Sequence, residues 1–152
     1  MELTSTAFSQ GEIIPDTYTC KGKNISPEMA WKGTPGETKS FTLIVEDPDA
    51  PGGTYTHWIA YNINAKRNAL PSNLPGNSRV DGMMQGINDF GKVGYGGPCP
   101  PQAHGPHRYY FKIFALDTIL DLPPGADKID LGKAMNGHIL AETELMGLYE
   151  IK

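Results

Sequence analysis

Four things are scarce in this 152-residue chain: cysteine, basic charge, long apolar runs and amphipathic helical patterning. The two cysteines, Cys20 and Cys99, form neither a CxxC pair nor any other metal-ligand spacing. In the reducing cytosol expected for this chain they read as free thiols. A bond between the Cys20 turn and a Gly/Pro-rich loop is the alternative. Thirteen Lys and Arg stand against seventeen Asp and Glu, a net charge of -4, which speaks against the clustered basic footprint of a nucleic-acid binder. No run approaches the roughly 20 apolar residues of a spanning helix, so stable membrane insertion is not expected. The start, Met1-Glu2-Leu3-Thr4-Ser5-Thr6, lacks the basic and apolar regions of a secretory signal. The expectation is a cytoplasmic protein folded as one domain over residues 1–152.

What the chain has in quantity is punctuation: 18 glycines and 13 prolines, spread along its length. Short apolar runs between them predict a mainly β domain, a two-sheet antiparallel sandwich with one or two short helices. Residues 41–45, Phe-Thr-Leu-Ile-Val, form a nearly continuous apolar run, as in a strand covered on both faces. Residues 57–63 predict the next strand, with His57, Ile59, Tyr61 and Ile63 on one face by the period of two. Residues 109–116 give a third, aromatic-rich strand. Weaker strands are expected around 3–8, 29–31 and 140–150. A short helix is expected near 131–136, capped by Asp130 and ended by Gly137. The stretches 64–77 and 79–107 fit no regular element. The second is long enough, and rich enough in aromatics and methionine, to be an ordered functional loop.

Titratable residues gather where these strands end. Asp47 closes one strand and His57 opens the next, so antiparallel pairing puts them at the same sheet edge. His107 and Tyr109 open a third strand just after the Gly/Pro-rich loop, both on one face, with Arg108 on the other. Imidazoles, a phenol and the backbone N–H groups of Gly96-Gly97 are donors suited to phosphate or carboxylate oxygens. Asp47 fits such a site if it orients an imidazole or shares a proton with the ligand. His104 reads equally well as rim or as solvated loop, and Asp49 alone reads as a turn former. Competing chemistries lack their signatures: no HExxH for a metal, no GxSxG for a serine hydrolase, no P-loop Lys-Ser/Thr for a nucleotide. No metal and no cofactor are expected.

Asp47-Pro48-Asp49-Ala50-Pro51, His57-Trp58-Ile59-Ala60-Tyr61-Asn62 and Gly105-Pro106-His107-Arg108-Tyr109 resemble the signature blocks of the phosphatidylethanolamine-binding protein family. That family includes the Raf kinase inhibitor proteins, and the likeness runs from residue 20 to residue 141. The stretch Gly94-Tyr95-Gly96-Gly97-Pro98-Cys99-Pro100-Pro101 is similar to its bacterial and archaeal branch. The resemblance implies a Greek-key β-sandwich and a small preformed anion pocket. It implies ligand-binding roles for Asp47, His57, Gly97, His107 and Tyr109, with Asp49 and Pro98 at adjoining motif positions. It makes the bonds before Pro51 and Pro98 candidates for the cis form. It also implies binding without catalysis, a kinase, phosphoprotein or protease as partner, and a homodimer. The runner-up function is a serine-protease inhibitor acting through a surface loop at 64–77 or 79–97. A third reading is a hydrolase or isomerase using His57 with Asp47 as its orienting carboxylate.

Overall fold

The computed structural model describes residues 1–152. Its elements in chain order are β1 (Glu2–Thr4), a 3-10 turn (Asp16–Tyr18), β2 (Met29–Lys32), β3 (Ser40–Asp47), β4 (Tyr55–Asn64) and β5 (Ala69–Leu70). They continue with β6 (Arg79–Val80), β7 (Met83–Gln85), β8 (His107–Leu116), α1 (Lys128–Met135) and β9 (Ile139–Tyr149). Two antiparallel sheets result, one ordered β1-β2-β5 and the other β6-β7-β4-β3-β8-β9. After β7 the chain returns beside β3 rather than beside its own neighbour, the Greek-key connection.

The central strands are the ones with the strongest β patterning. Phe41, Leu43 and Val45 of β3 point into a core of 19 buried residues between the sheets, together with Trp58, Phe111 and Ile113. The opposite face is covered as well. Ile59, Tyr61 and Phe114 pack there against Leu131 and Met135 of α1. The apolar run at 41–45 is therefore buried on both sides, as its composition demands.

A β-bulge changes the expected facing of β4. Val45 pairs with Trp58 but Glu46 pairs with Thr56, so His57 is the extra residue. Two successive side chains then turn to the same side of the sheet. Trp58 enters the inter-sheet core, and His57 lies edge-on to Tyr109 at 5.3 Å. The single face expected for His57, Ile59, Tyr61 and Ile63 is thus broken. Ile59 and Tyr61 belong to the second core. Ile63 returns to the first after a second register shift, where Asn62 adopts φ 52°.

Other expectations are corrected in detail. The helix begins three residues earlier, because Asp127 rather than Asp130 is the cap, accepting from Asp130 N at 2.8 Å. Gly137 follows the helix with φ 83°, as expected of a C′ glycine. The irregular stretches contain β5, β6 and β7, which are too short to show a period. No peptide bond is cis, so those before Pro51 and Pro98 are trans. Cys20 and Cys99 are bonded rather than free, with Cα atoms 5.4 Å apart. The backbone brings them together: Cys20 N donates to Pro98 O at 3.1 Å, laying the 3-10 turn against the Gly/Pro loop.

Candidate functional site

Asp47, His57, His107 and Tyr109 converge on one cavity of about 230 Å³. Each is placed by its strand: Asp47 at the end of β3, His57 at the bulge of β4, His107 and Tyr109 on alternate positions of β8. Ala50 and Pro51 close one side and Cys99, Pro100 and Pro101 another, with Tyr55 and Phe90 beside His57. The segment carrying Phe90 is fixed to the start of β4. Asp89 Oδ2 accepts from Thr56 N at 2.7 Å, and Asn88 Oδ1 accepts from Phe90 N at 2.9 Å.

Hydrogen bonds assign the roles of the imidazoles. His57 Nδ1 lies 2.7 Å from Gly96 O, and a carbonyl can only accept, so the proton sits on Nδ1. The neutral ring therefore presents Nε2 as an acceptor. Burial pushes the His57 pKa below its ordinary value, partly offset by the Gly96 carbonyl and the Asp47 charge. His107 Nδ1 lies 2.6 Å from Asp47 Oδ2, and its Nε2 lies 2.7 Å from His104 Nδ1. Both nitrogens of His107 are engaged, so it orients rather than offering a free donor, contrary to the expectation that both imidazoles donate. The Tyr109 hydroxyl is held well above its usual pKa, first by burial and then by the neighbouring Asp47 charge. It remains protonated, a donor set beside the Asp47 carboxylate.

Three residues expected at the site lie outside this cavity. Asp49 turns away and forms a two-pronged pair with Arg108, at 2.9 Å to Nε and 2.8 Å to Nη2. The guanidinium holds its carboxyl down to about 2. Pro98 supplies the carbonyl that receives Cys20 N. Gly97 donates its N–H to Asn24 Oδ1 at 2.8 Å and lines a second recess behind the disulfide. A Cβ at Gly97 would lie 2.2 Å from Tyr18 O and 2.5 Å from Asn24 Oδ1. Gly97→Ala is expected to destabilise the fold by about 1–3 kcal/mol, the scale of overpacking. Urea denaturation measures this, and an unchanged midpoint would contradict the close approach.

Sequence reading assigns no site role to Tyr55 or Phe90, and His104, open there between rim and solvated loop, packs against His107. Tyr55 stands two residues before His57, a spacing that signals proximity on a strand. His104 stands three residues before His107 in a loop that only the fold bends back, with Ala103 at φ 60° and Gly105 at φ 85°. Phe90 carries no local signal; it is 43 % exposed at the rim although large and apolar.

Comparison with known proteins agrees with this architecture. The family model described as phosphatidylethanolamine-binding protein matches residues 4–150. A UPF0098 protein of Aquifex aeolicus is 54% identical over 151 residues, covering 99% of this chain and 88% of the relative. Another, from Methanothermobacter thermautotrophicus, is 52% identical and covers 98% of both chains. Among solved structures, E. coli YbcL, described as a new member of the mammalian family, aligns with TM-score 0.91 at 37% identity, over 99% of this chain and 98% of its own. A homologue from Chlamydia trachomatis aligns with TM-score 0.89 at 44% identity, over 99% and 97%. The chain belongs to the phosphatidylethanolamine-binding protein family.

Proposed function

We propose that this protein binds small oxyanions, phosphorylated or carboxylate-bearing head groups, in the cavity of Asp47, His57, His107 and Tyr109, without turning them over. The observation that carries this reading is the buried Asp47–His107 pair at 2.6 Å, set beside His57 and the Tyr109 hydroxyl around a preformed space of about 230 Å³. The family's name points to the same phosphorylated chemistry. The thiol at the cavity wall, Cys99, is tied up in a disulfide and so is no nucleophile, which favours binding over covalent catalysis. Binding of this kind suits a regulator of protein partners, with exposed Phe90 as the rim on which a larger ligand rests. The protease-inhibitor reading has less behind it. A solved carboxypeptidase Y inhibitor shares the fold at TM-score 0.56, but at 18% identity the likeness reaches no further than the fold.

Calorimetric titration with inorganic phosphate tests the site. Saturable heat in the wild type, lost in His57→Ala while the fold is retained, is the expected result. The sign of the pH effect follows from His57. Its folded pKa is lowered, so its contribution to stability is present above about 6.5, its unperturbed value, and falls as acid protonates the unfolded chain first. A bound anion favours the added proton, so phosphate affinity is expected to rise from pH 7.5 to pH 6. Affinity that falls over that interval, or binding that survives His57→Ala, would refute the assignment.

A further inference from the structure

We propose that the recess behind the Cys20–Cys99 bond is a thiol-exchange site, where an acidic low-molecular-weight thiol docks and forms a mixed disulfide with Cys99 while the chain stays folded. This is independent of what the anion cavity binds.

Exposure and local charge carry the inference together. Both half-cystines are exposed, the setting of labile rather than inert disulfides. Both open on a recess of about 350 Å³, with Asn24, Phe90, Lys92 and Tyr95 around them. No carboxylate lines this recess, while the exposed Lys92 does. Lys21 and Lys23, also exposed, follow Cys20 in its turn. The acidic residues of the two segments have partners elsewhere. Asp16 accepts from Tyr149 Oη at 2.7 Å, and Asp89 accepts from Thr56 N at 2.7 Å and Lys128 Nζ at 3.0 Å. On a chain of net charge -4, three lysines gathered around an exposed disulfide run against the overall sign. Such a local field draws in a thiol that carries carboxylates.

The surroundings also give the exchange a direction. Cys99 borders the anion cavity as well as the recess, so it is reached from two sides, whereas Cys20 borders the recess alone. Cys20 is the half followed by lysines, whose charge favours a departing thiolate. The incoming thiolate therefore attacks Cys99 Sγ. A new S–S bond forms there, the Cys20–Cys99 bond breaks, and its electron pair leaves on Cys20 Sγ, so this step needs no oxidant. The Cys20 thiolate then reattacks and expels the thiol, or a second thiolate removes the adduct as its symmetrical disulfide and leaves both cysteines reduced. Hydrogen bonds that involve no sulfur hold the two segments together meanwhile. They run from Cys20 N to Pro98 O at 3.1 Å, Gly97 N to Asn24 Oδ1 at 2.8 Å and Tyr95 Oη to Tyr18 O at 2.6 Å.

The test exposes the whole oxidised chain, without denaturant, to reduced glutathione or to cysteamine. Acid quenching and peptide mass spectrometry then locate and time the adduct. Each rate is divided by that of the same thiol with hydroxyethyl disulfide, which removes intrinsic nucleophilicity. An adduct on Cys99 is expected, with a normalised rate about threefold or more higher for glutathione, the scale of exposed charge contacts. That advantage should shrink at high salt and fall by about half in Lys92→Gln. Cys20→Ser removes the thiol that reverses the step. Its Cys99 should take glutathione from oxidised glutathione faster than cysteamine from cystamine. Equal normalised rates, an adduct on Cys20 instead, or exchange that rises with urea in step with global unfolding would overturn the proposal. Absence of any adduct from both the wild type and Cys20→Ser overturns it as well.

Discussion

Replacing both half-cystines, Cys20→Ser with Cys99→Ser, is expected to remove about 4 kcal/mol of stability, because the bond closes a long loop in the unfolded chain. The sequence separation is 79 residues, spanning β2 to β7. Most of this is entropy lost by the denatured ensemble, so the unfolded state gains freedom that the native contacts do not replace. Locally the loop keeps Cys20 N to Pro98 O at 3.1 Å, Gly97 N to Asn24 Oδ1 at 2.8 Å and Tyr95 Oη to Tyr18 O at 2.6 Å. Those bonds should preserve the fold of the variant under mild conditions. Urea midpoints of the wild type, with and without a dithiol reductant, and of the double variant measure the effect. Reduced wild type and double variant should coincide. A loss below about 1 kcal/mol would mean that the unfolded chain is already restrained near this loop.

The second large effect is expected from Asp47→Ala. Asp47 and His107 are 3% and 2% exposed, and removing the carboxylate strands His107 Nδ1 in a buried site. Breaking a buried pair by deleting one partner costs about 3–5 kcal/mol. The Asp49 N–H loses its acceptor at the same time, so the turn after β3 loosens with it. Phosphate binding should vanish together with the stability. The neighbouring Asp49→Ala provides the contrast. Its pair with Arg108 is part-exposed, and such pairs are worth about 0–1 kcal/mol. The Asp49 carboxyl titrates near about 2 in the folded chain, so what it contributes is present above its ordinary 3.8 and fades only as pH falls towards 2. Equal losses from the two variants, measured by urea denaturation at pH 7, would contradict the assignment of Asp47 to the interior and Asp49 to the surface.

The difference between these two aspartates shows where sequence reading stops. Asp47-Pro48-Asp49 offers two carboxylates two residues apart, and nothing local says which one turns inward. The choice is made by β8, which puts buried His107 opposite one and exposed Arg108 opposite the other. The shared face of His107 and Tyr109, with Arg108 on the opposite one, was legible, because a side-chain period of two needs no tertiary information. The long strands β3, β4 and β8 were legible from their β-branched, apolar and aromatic runs, and Gly137 was legible as the helix stop. The bulge at His57 was not, since a single inserted residue leaves the apolar pattern intact while exchanging its faces. The bond between Cys20 and Cys99 depends on two loops meeting across 79 residues, a distance over which spacing carries no signal. His104 joins the site only because the loop folds back on the start of β8.

The most direct test of the anion pocket is a histidine-resolved NMR titration with inorganic phosphate. The chain has four histidines, and one is an internal control: His138 pairs with Asp117 at 2.7 Å, at the far end of β8. Saturable shifts of His57, followed by smaller ones along His107 and His104 and none at His138, are the result this account requires. A silent His57 at saturating phosphate, or shifts at His138 equal to those at His57, would contradict it.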